Sequence, residues 1–319
     1  MKNILGNNLR KYRYNNNLTL KEVADYIGVS HTTVKNYEDG VAVPPYEKLQ
    51  ALAKLYDTTV FEFNKEFIIE KIDFEPLFND GKFLVREEKK LREVITEEIN
   101  EYIKVLHMNN MGSFNNFNKI IVGIKENIEN IVNDIRHRLN ISDDIPLYNL
   151  ISLLEKDNIH VITIEKTENF TSFSTLVNTI AFIVVSEDEN GAVFRYNLAK
   201  GLGKLMIVLR EDNEELYDEF AKSFLLPRES LIEDLGIKRN LITIDELIIL
   251  KNRYNVSKKL ILDRLLDLEI ITNYRYKELN SAIKKSEDTS IIKSEENVKY
   301  NLLKSKLYNE GLVTNVIEM

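Results

Sequence analysis

The chain of 319 residues contains no cysteine and no tryptophan, and it has only four histidines. Without cysteine it forms no disulfide, cysteine-ligated zinc site or iron–sulfur cluster, and it has no thiol nucleophile. The histidines are His31, His107, His137 and His160, which leave little material for a histidine metal site. The composition therefore predicts no metal and no cofactor.

Long apolar runs are also missing. No stretch of about 18 uncharged apolar residues is present, so the sequence predicts no transmembrane helix. The opening residues, MKNILGNNLRKYRYNN, are polar and lack the apolar core of a signal peptide. We therefore expect a cytoplasmic protein without a membrane partner.

The chain is acidic overall, because 51 Asp or Glu outnumber 43 Lys or Arg and give a net charge of −8. An acidic chain is not an obvious nucleic-acid binder, since affinity for DNA depends largely on Lys and Arg at phosphates. The charge is uneven, however. Residues 1–66 carry nine Lys or Arg against eight Asp or Glu, whereas the remainder is strongly acidic. If any part of the chain meets DNA, it is the amino-terminal part.

Residues 4–63 show the apolar spacing of five short helices joined by tight connections. Thr19 and Glu22 form a capping-box pattern, and Gly28 is placed to end the helix that Thr19 begins. Ser30 is placed to cap the next helix, His31–Glu38. Two short helices around a glycine-containing turn are typical of a helix-turn-helix domain.

The segments LTLKEVADYIGVS and TVKNYEDG resemble the phage-repressor (XRE-type) family of helix-turn-helix regulators. The resemblance covers about 60 residues and implies that His31–Glu38 is the recognition helix. It places His31, Thr32 and Asn36 at base edges in the major groove, where their donors and acceptors can distinguish bases. It implies DNA-backbone contacts for Ser30, Thr33, Lys35, Arg10 and Lys11, with Arg13 as nearby positive charge.

One position departs from that family. The second helix often begins with a Gln that contacts a phosphate, and this chain has Leu20 there. We therefore expect one backbone contact to be missing. The alternative interpretation of the polar side chains is that they form a solvated helix face.

Residues 67–118 are predicted to be a helical connector. The segment Arg86–Leu106 is charged with apolar residues at helical spacing, which is typical of an amphipathic helix. Its apolar seam can pair with a second copy of the chain or pack on its own chain, and the sequence does not decide between them. Asn109–Asn118 is rich in Asn, Gly and Ser and is predicted to be a linker.

Residues 119–284 predict an α+β domain, so the fold class of the chain is mainly α with a small β-sheet. The predicted helices run from Phe117 to Leu139, from Pro146 to Lys156, from Asn197, and from Asn213 to Leu226. The predicted strands are His160–Ile164 and Ile180–Val185, with a hairpin whose tip is Asn190-Gly191. A tail of residues 285–319 is predicted to contain a helix, which caps the fold or joins a partner.

The order of these elements and segments such as FRYNLAKGLGKLMI and LYDEFAKSFLLP resemble the ImmA/IrrE-type metallopeptidase family. That family binds zinc through a His-Glu-x-x-His helix, in which the Glu is the general base, and through a Glu on the next helix. The matching positions here are Lys200, Gly201, Lys204 and Leu216, with Glu215 adjacent to the last. An ammonium group has no lone pair for a metal and repels a dication. The resemblance therefore implies a zincin-like domain without its metal site.

The two lysines have three possible roles. They can pair with Glu214, Glu215 or Asp218, they can bind an anionic effector, or they can be solvated.

Together these patterns predict a DNA-binding transcriptional regulator, with repression as the expected sign. Its partners are a double-stranded operator and a second copy of the chain. Its carboxy-terminal domain is not an enzyme and serves dimerisation, sensing of a protein or anionic small-molecule effector, or partner binding. An alternative is an antitoxin or phage-immunity interaction module that regulates its own expression. A further alternative is an active zinc peptidase that cleaves a partner repressor.

Overall fold

The computed structural model describes residues 4–16, 18–64, 72–74, 85–109, 120–122, 127–142, 146–177, 179–209, 214–285 and 292–309. The chain divides into two compact units. Unit 1 comprises Met1–Glu70, Asn100–Ser113 and Val298–Met319, and unit 2 comprises Lys71–Ile99 and Phe114–Asn297. The domain limits expected from the sequence, at residues 66, 118 and 284, stay predictions.

The described residues are mainly helical. The helices are α1 Ile4–Asn15, α2 Leu20–Ile27, α3 His31–Glu38, α4 Tyr46–Leu55, α5 Val60–Phe63, α6 Val85–Met108, α7 Ile128–Arg138, α8 Leu150–Lys156, α9 Gly191–Met206, α10 Glu214–Leu225, α11 Arg228–Leu235, α12 Ile244–Tyr254, α13 Lys258–Asp267, α14 Asn273–Lys285 and α15 Val298–Asn309. The strands are β1 Ile120–Val122, β2 Ile159–Ile164, β3 Ser172–Val177, β4 Ile180–Ser186 and β5 Ile207–Leu209. Within these described elements, no helix is both long and apolar enough to span a membrane.

The five helices predicted for residues 4–63 are confirmed as α1 to α5. Their apolar faces meet in one core, which contains Leu9, Val23, Ala24, Ile27, Val34, Tyr37, Leu49, Leu52, Ala53, Tyr56 and Phe63. The rings of Tyr12, Tyr56 and Phe63 contact one another, with Tyr12 and Phe63 5.4 Å apart between centroids. These contacts hold the first and last helices of the domain together.

The predicted caps of α2 and α3 are also confirmed. The Thr19 hydroxyl accepts a hydrogen bond from the Glu22 amide at 3.2 Å, and the Glu22 carboxylate accepts one from the Thr19 amide at 2.7 Å. Gly28 ends α2 in the left-handed conformation, with φ +66. A β-carbon would be strained at this φ, so glycine suits the turn that aims α3.

We expect this cap to make stability sensitive to acid. The Thr19 amide and hydroxyl bind the ionised Glu22 carboxylate and lower its pKa. A lowered pKa stabilises the fold above the pKa of the unfolded chain, about 4.3 for Glu, and this stabilisation is lost as the pH falls further. The thermal midpoint should therefore fall less between neutral pH and about pH 3 in Glu22→Gln than in the wild-type protein. An identical decrease in both proteins would contradict this role of the carboxylate.

The amphipathic helix predicted for the connector is confirmed as α6. Its apolar side chains are buried in the single chain, as is seen for Leu91, Ile95, Ile99, Ile103 and Leu106. Because these side chains are already buried, the structure favours packing of α6 on its own chain over pairing of its apolar face with a second copy of the chain. The linker predicted for Asn109–Asn118 lies outside the described residues except for Asn109.

Helix α15 corresponds to the helix predicted for the tail, and it packs on the carboxy-terminal part of α6 within unit 1. Leu307 is buried with Val105 and Met108. The rings of Tyr300 and Tyr102 stack with centroids 4.1 Å apart. The described part of the tail therefore packs against a helix of its own chain rather than being left free for a partner.

Unit 2 contains a three-stranded sheet in the order β2-β4-β3, with β2 parallel and β3 antiparallel to β4. The central strand β4 is buried along its whole length. Helix α9 packs on β3 and β4, and α10 packs on α9. A second pairing joins β1 to β5 in parallel.

Several expectations for unit 2 were wrong. Residues 120–122 form strand β1 rather than part of a helix from Phe117, and α7 begins only at Ile128. Helix α8 begins at Leu150 rather than Pro146, and strand β3 was not predicted. Strand β1 has only three residues, and β3 mixes polar and apolar residues, so their pairing partners define them.

The predicted hairpin at Asn190-Gly191 does not form. Asn190 caps α9 instead, because its side-chain oxygen accepts a hydrogen bond from the Ala192 amide at 3.1 Å. Asn197, predicted to begin this helix, lies in its interior. An Asn-Gly pair is compatible with a tight hairpin and with the start of a helix. Here the apolar residues at helical spacing that follow it favour the helix.

Candidate nucleic-acid interface

Helix α3 presents a polar face to solvent and an apolar face to the core. Val34, Tyr37 and Glu38 are buried, while His31, Thr32 and Lys35 are exposed and Asn36 is half-buried. The side chains expected to contact bases therefore share an accessible face. The main-chain carbonyl of Asn36 accepts hydrogen bonds from the amides of Val41 and Ala42, which fastens the loop after α3 without using the Asn36 side chain.

Ser30 and Thr33 form a linked pair at the start of α3. The Ser30 hydroxyl accepts a hydrogen bond from the Thr33 amide at 3.0 Å, and the two hydroxyl oxygens are 2.8 Å apart. One hydroxyl proton is used between them, whichever residue donates it. The other remains available to donate to a phosphate oxygen, so the capping role and the predicted backbone contact are compatible.

A buried ion pair ties α1 to α3. The Arg13 guanidinium donates two hydrogen bonds to the Glu38 carboxylate, at 2.7 and 2.8 Å. The two side chains are only 7% and 3% exposed. Burial alone would lower the pKa of Arg13, but the hydrogen bonds and charge of Glu38 outweigh it and raise the pKa above its ordinary value. This bidentate pair holds α3 against α1.

Two of the cations predicted to contact phosphates are used differently. Lys11 is only 4% exposed, so the structure argues against a phosphate contact there. Arg10 forms ion pairs with Asp39 and, at 3.5 Å, with Glu38. Its charge is therefore largely neutralised within the protein. The sequence could not show this, because the partners are on another helix.

Sequence reasoning missed Lys21, which is exposed beside the predicted interface. A surface cavity of about 550 Å³ is lined by His31, Lys21, Leu20, Thr19 and residues of α1. Leu20 itself is half-buried against the core. In the related family a Gln at the position of Leu20 contacts a phosphate, and Lys21 is the next residue. This adjacency is the signal that could have identified Lys21 as a phosphate-binding candidate.

The positions that the sequence resemblance matches to a metal site lie where α9 packs on α10 in unit 2. Lys200 Nζ forms an ion pair with Asp218 at 2.7 Å, and the Tyr196 hydroxyl donates to the same carboxylate at 2.8 Å. Lys204 Nζ lies 5.7 Å from the centroid of the Tyr217 ring. Of the three roles considered for the lysines, pairing with Asp218 is therefore found for Lys200. The Glu214 side chain lies outside the described residues.

Gly201 is packed against the sheet. A β-carbon there would lie 2.6 Å from Ile183 Cγ2, and the Ser174 hydroxyl donates to the Gly201 carbonyl at 2.6 Å. Ile183 is fully buried in β4, so the position has no room for a glutamate unless the sheet moves. Leu216 packs against the main core of unit 2. In the part of the chain that the structure describes, no three His, Cys, Asp or Glu side chains are placed to share a metal ion.

Comparison with known proteins identifies the amino-terminal domain. Residues 9–63 match the helix-turn-helix family model. A crystal structure of Bacillus thuringiensis PlcR in complex with the peptide PapR7 and DNA is similar at 16% identity over 98% of this chain and 99% of that chain, with a TM-score of 0.19. A TM-score this low carries no argument about fold or function. No curated protein matches the chain. The helix-turn-helix match supports a DNA-binding transcription regulator, and the metallopeptidase resemblance of residues 119–284 stays a prediction.

Proposed function

We propose that this chain is a sequence-specific DNA-binding transcriptional regulator, and that it acts as a repressor. The observation that carries the proposal is the exposed polar face of α3 inside a domain that matches the helix-turn-helix family. His31, Thr32 and Asn36 supply the base contacts, since their side chains offer donors and acceptors on that accessible face. Lys35, Lys21 and the Ser30–Thr33 hydroxyl pair supply phosphate contacts.

The regulator acts as a homodimer on two half-sites about one helical turn apart. The charge of the domain supports this part of the proposal. Arg13 and Arg10 are paired with acidic side chains, so a single domain offers few cations to phosphates. Two linked domains bind more tightly, because the second contact is made at a high effective concentration.

Unit 2 serves as a catalytically inactive, metallopeptidase-like domain. Lysines at positions 200 and 204 cannot ligate zinc as ammonium groups, and Gly201 offers no general base. The ion pair of Lys200 with Asp218 places two fixed, opposite charges where the metallopeptidase family that this domain resembles would hold its metal. The domain therefore contributes dimerisation, sensing or partner binding rather than hydrolysis.

We expect the purified protein to retain no stoichiometric zinc after dialysis against zinc and then against metal-free buffer. A chelator should leave the urea-unfolding midpoint unchanged, since no metal-bound state contributes to stability. Elemental analysis and urea titration check both statements. Stoichiometric zinc together with chelator-sensitive cleavage of a protein substrate would overturn the proposal of an inactive domain.

The DNA-binding proposal is tested without knowing the operator. The full chain is incubated with a random pool of double-stranded DNA, and bound sequences are selected and sequenced over several rounds. Enrichment of a motif with two inverted half-sites is expected for a dimeric helix-turn-helix regulator. A pool that stays random after selection would contradict sequence-specific binding, and a single half-site motif would contradict the dimer.

A further inference from the structure

The segment 292–297, here called the strap, lies on unit 2 just before α15. It is fastened by polar contacts to three separate parts of that unit, which are the turn before α9, helix α8 and strand β2. At the start of the strap, the Gly191 amide donates to the Ile292 carbonyl at 2.6 Å, and the Ser294 hydroxyl donates to the Asp188 carbonyl at 2.6 Å. Further along, the Glu295 carboxylate accepts a hydrogen bond from the Ile151 amide at 2.8 Å. The Asn297 side-chain amide donates to the Val161 carbonyl at 2.7 Å. The strap thus occupies a groove as a bound peptide would.

A buried arginine lies at the centre of this groove. Arg195 is 1% exposed, and its guanidinium donates to the Leu147 carbonyl at 2.7 Å and forms an ion pair with Glu295. Burial lowers the pKa of Arg195 to about 10, so the group is still charged at neutral pH. A buried charge without a counter-ion is strongly unfavourable. The groove therefore requires a carboxylate, and the strap provides it.

The groove is also shaped for a main chain. A β-carbon at Gly191 would overlap the carbonyl of Lys293, so the strap lies directly over the first turn of α9. Glycine is therefore needed for the close approach of another backbone, rather than for the hairpin that the sequence suggested. The Asn297 side chain satisfies a carbonyl on β2, an edge strand of the three-stranded sheet.

Solvent reaches the ion pair from one side. A cavity of about 310 Å³ is lined by Tyr148, Arg195, Lys251, Lys293 and Glu295, together with neighbouring residues. Lys251 brings a second cation to this cavity. The cavity therefore offers a competing carboxylate an approach to Arg195.

We propose that this groove is a binding site for a peptide segment that carries a glutamate or aspartate, and that the strap is its internal occupant. An external acidic peptide exchanges with the strap at Arg195. The tethered strap competes at a high effective concentration, so exchange requires a tighter ligand or a loosened strap. Because α15 begins at Val298, exchange removes the anchor that immediately precedes this helix.

Two adjacent glutamates provide a matched test of the internal contact. Glu295 is bound to Arg195, whereas Glu296 is exposed, so Glu295→Gln and Glu296→Gln remove the same charge from neighbouring positions. Amide hydrogen exchange of the full chain measures protection at Ile151 and Gly191, whose amides donate to the strap. We expect roughly tenfold faster exchange at both amides in Glu295→Gln and wild-type rates in Glu296→Gln. Equal rates in the two variants would overturn the proposal.

Binding of an external peptide distinguishes a ligand site from a purely structural staple. The probe is a fluorescein-labelled hexapeptide IKSEEN with blocked ends, and its control has Gln in place of the first Glu. We expect the hexapeptide to bind Glu295→Gln protein about tenfold more tightly than wild-type protein, because the internal competitor is weakened. The control peptide should bind at least about tenfold more weakly. Equal binding of both peptides, or no binding of either one to the variant, would overturn the proposal.

A second variant keeps the test decisive if Glu295→Gln fails to fold, as judged by circular dichroism. Gly191→Ala retains both charges and displaces the strap by steric overlap at Lys293. Faster exchange at Ile151 is expected in this variant, and wild-type protection there would contradict the shape of the groove.

Discussion

Asn36→Ala is expected to lower affinity for the selected operator by roughly 10- to 100-fold, because a side-chain amide can contact both a donor and an acceptor on one base. Thr32→Ala is expected to cost about tenfold, since it removes a single hydroxyl and one methyl group. Both side chains lie on the accessible face of α3, and the main-chain carbonyl that fastens the next loop is unchanged by Asn36→Ala. Fluorescence anisotropy with the selected duplex and with a scrambled duplex measures the loss of specificity.

Two controls separate base recognition from general effects. Gln50→Ala changes an exposed side chain on α4 and should bind the operator like the wild type. Lys35→Ala should weaken binding to both duplexes similarly and reduce the slope of log affinity against log salt by about 1. If folded Thr32→Ala and Asn36→Ala variants bind the operator as well as the wild type, the assignment of α3 as the recognition helix is wrong.

Glu38→Gln is expected to lower the free energy of unfolding of the helix-turn-helix domain by about 3 kcal/mol, because it leaves the buried Arg13 charge without its carboxylate. The same change loosens the tie between α1 and α3, so operator binding should weaken together with stability. Urea titration followed by circular dichroism measures the first effect, and anisotropy at low temperature measures the second. Glu47→Gln, at an exposed position on α4, is the matched control and should be near neutral.

A double variant tests whether the pair acts through charge burial. Arg13→Met combined with Glu38→Leu removes both charges while filling similar volume, and such replacements are often neutral. We therefore expect the double variant to be more stable than Glu38→Gln alone. A Glu38→Gln protein that unfolds at the wild-type urea concentration would show that the pair does not hold α3 in place.

The helix-turn-helix domain was predictable because its elements begin and end through local contacts. Thr19 caps α2 with a partner three residues away, Gly28 ends it, and Ser30 begins α3 through Thr33. The base-contacting candidates follow from this local order, since the register of a helix determines which side chains share a face. The same argument located α6 from the spacing of its apolar residues.

Unit 2 was less predictable where short segments depend on distant partners. Strand β1 pairs with β5, which lies more than eighty residues further along the chain. The pair Asn190-Gly191 has the local signature of a hairpin, yet it starts α9 beneath the strap. Local propensity is a weak prior in such segments, because tertiary contacts override it.

The sequence by itself determined the helix-turn-helix domain and the polar face of its third helix. Only the tertiary structure decided what the buried charges do. Arg13 pairs with Glu38, and Arg195 pairs with Glu295 a hundred residues later. The physical reason is that caps and helical stripes are set within a few residues, whereas the partner of a buried charge is set by which distant elements pack against it.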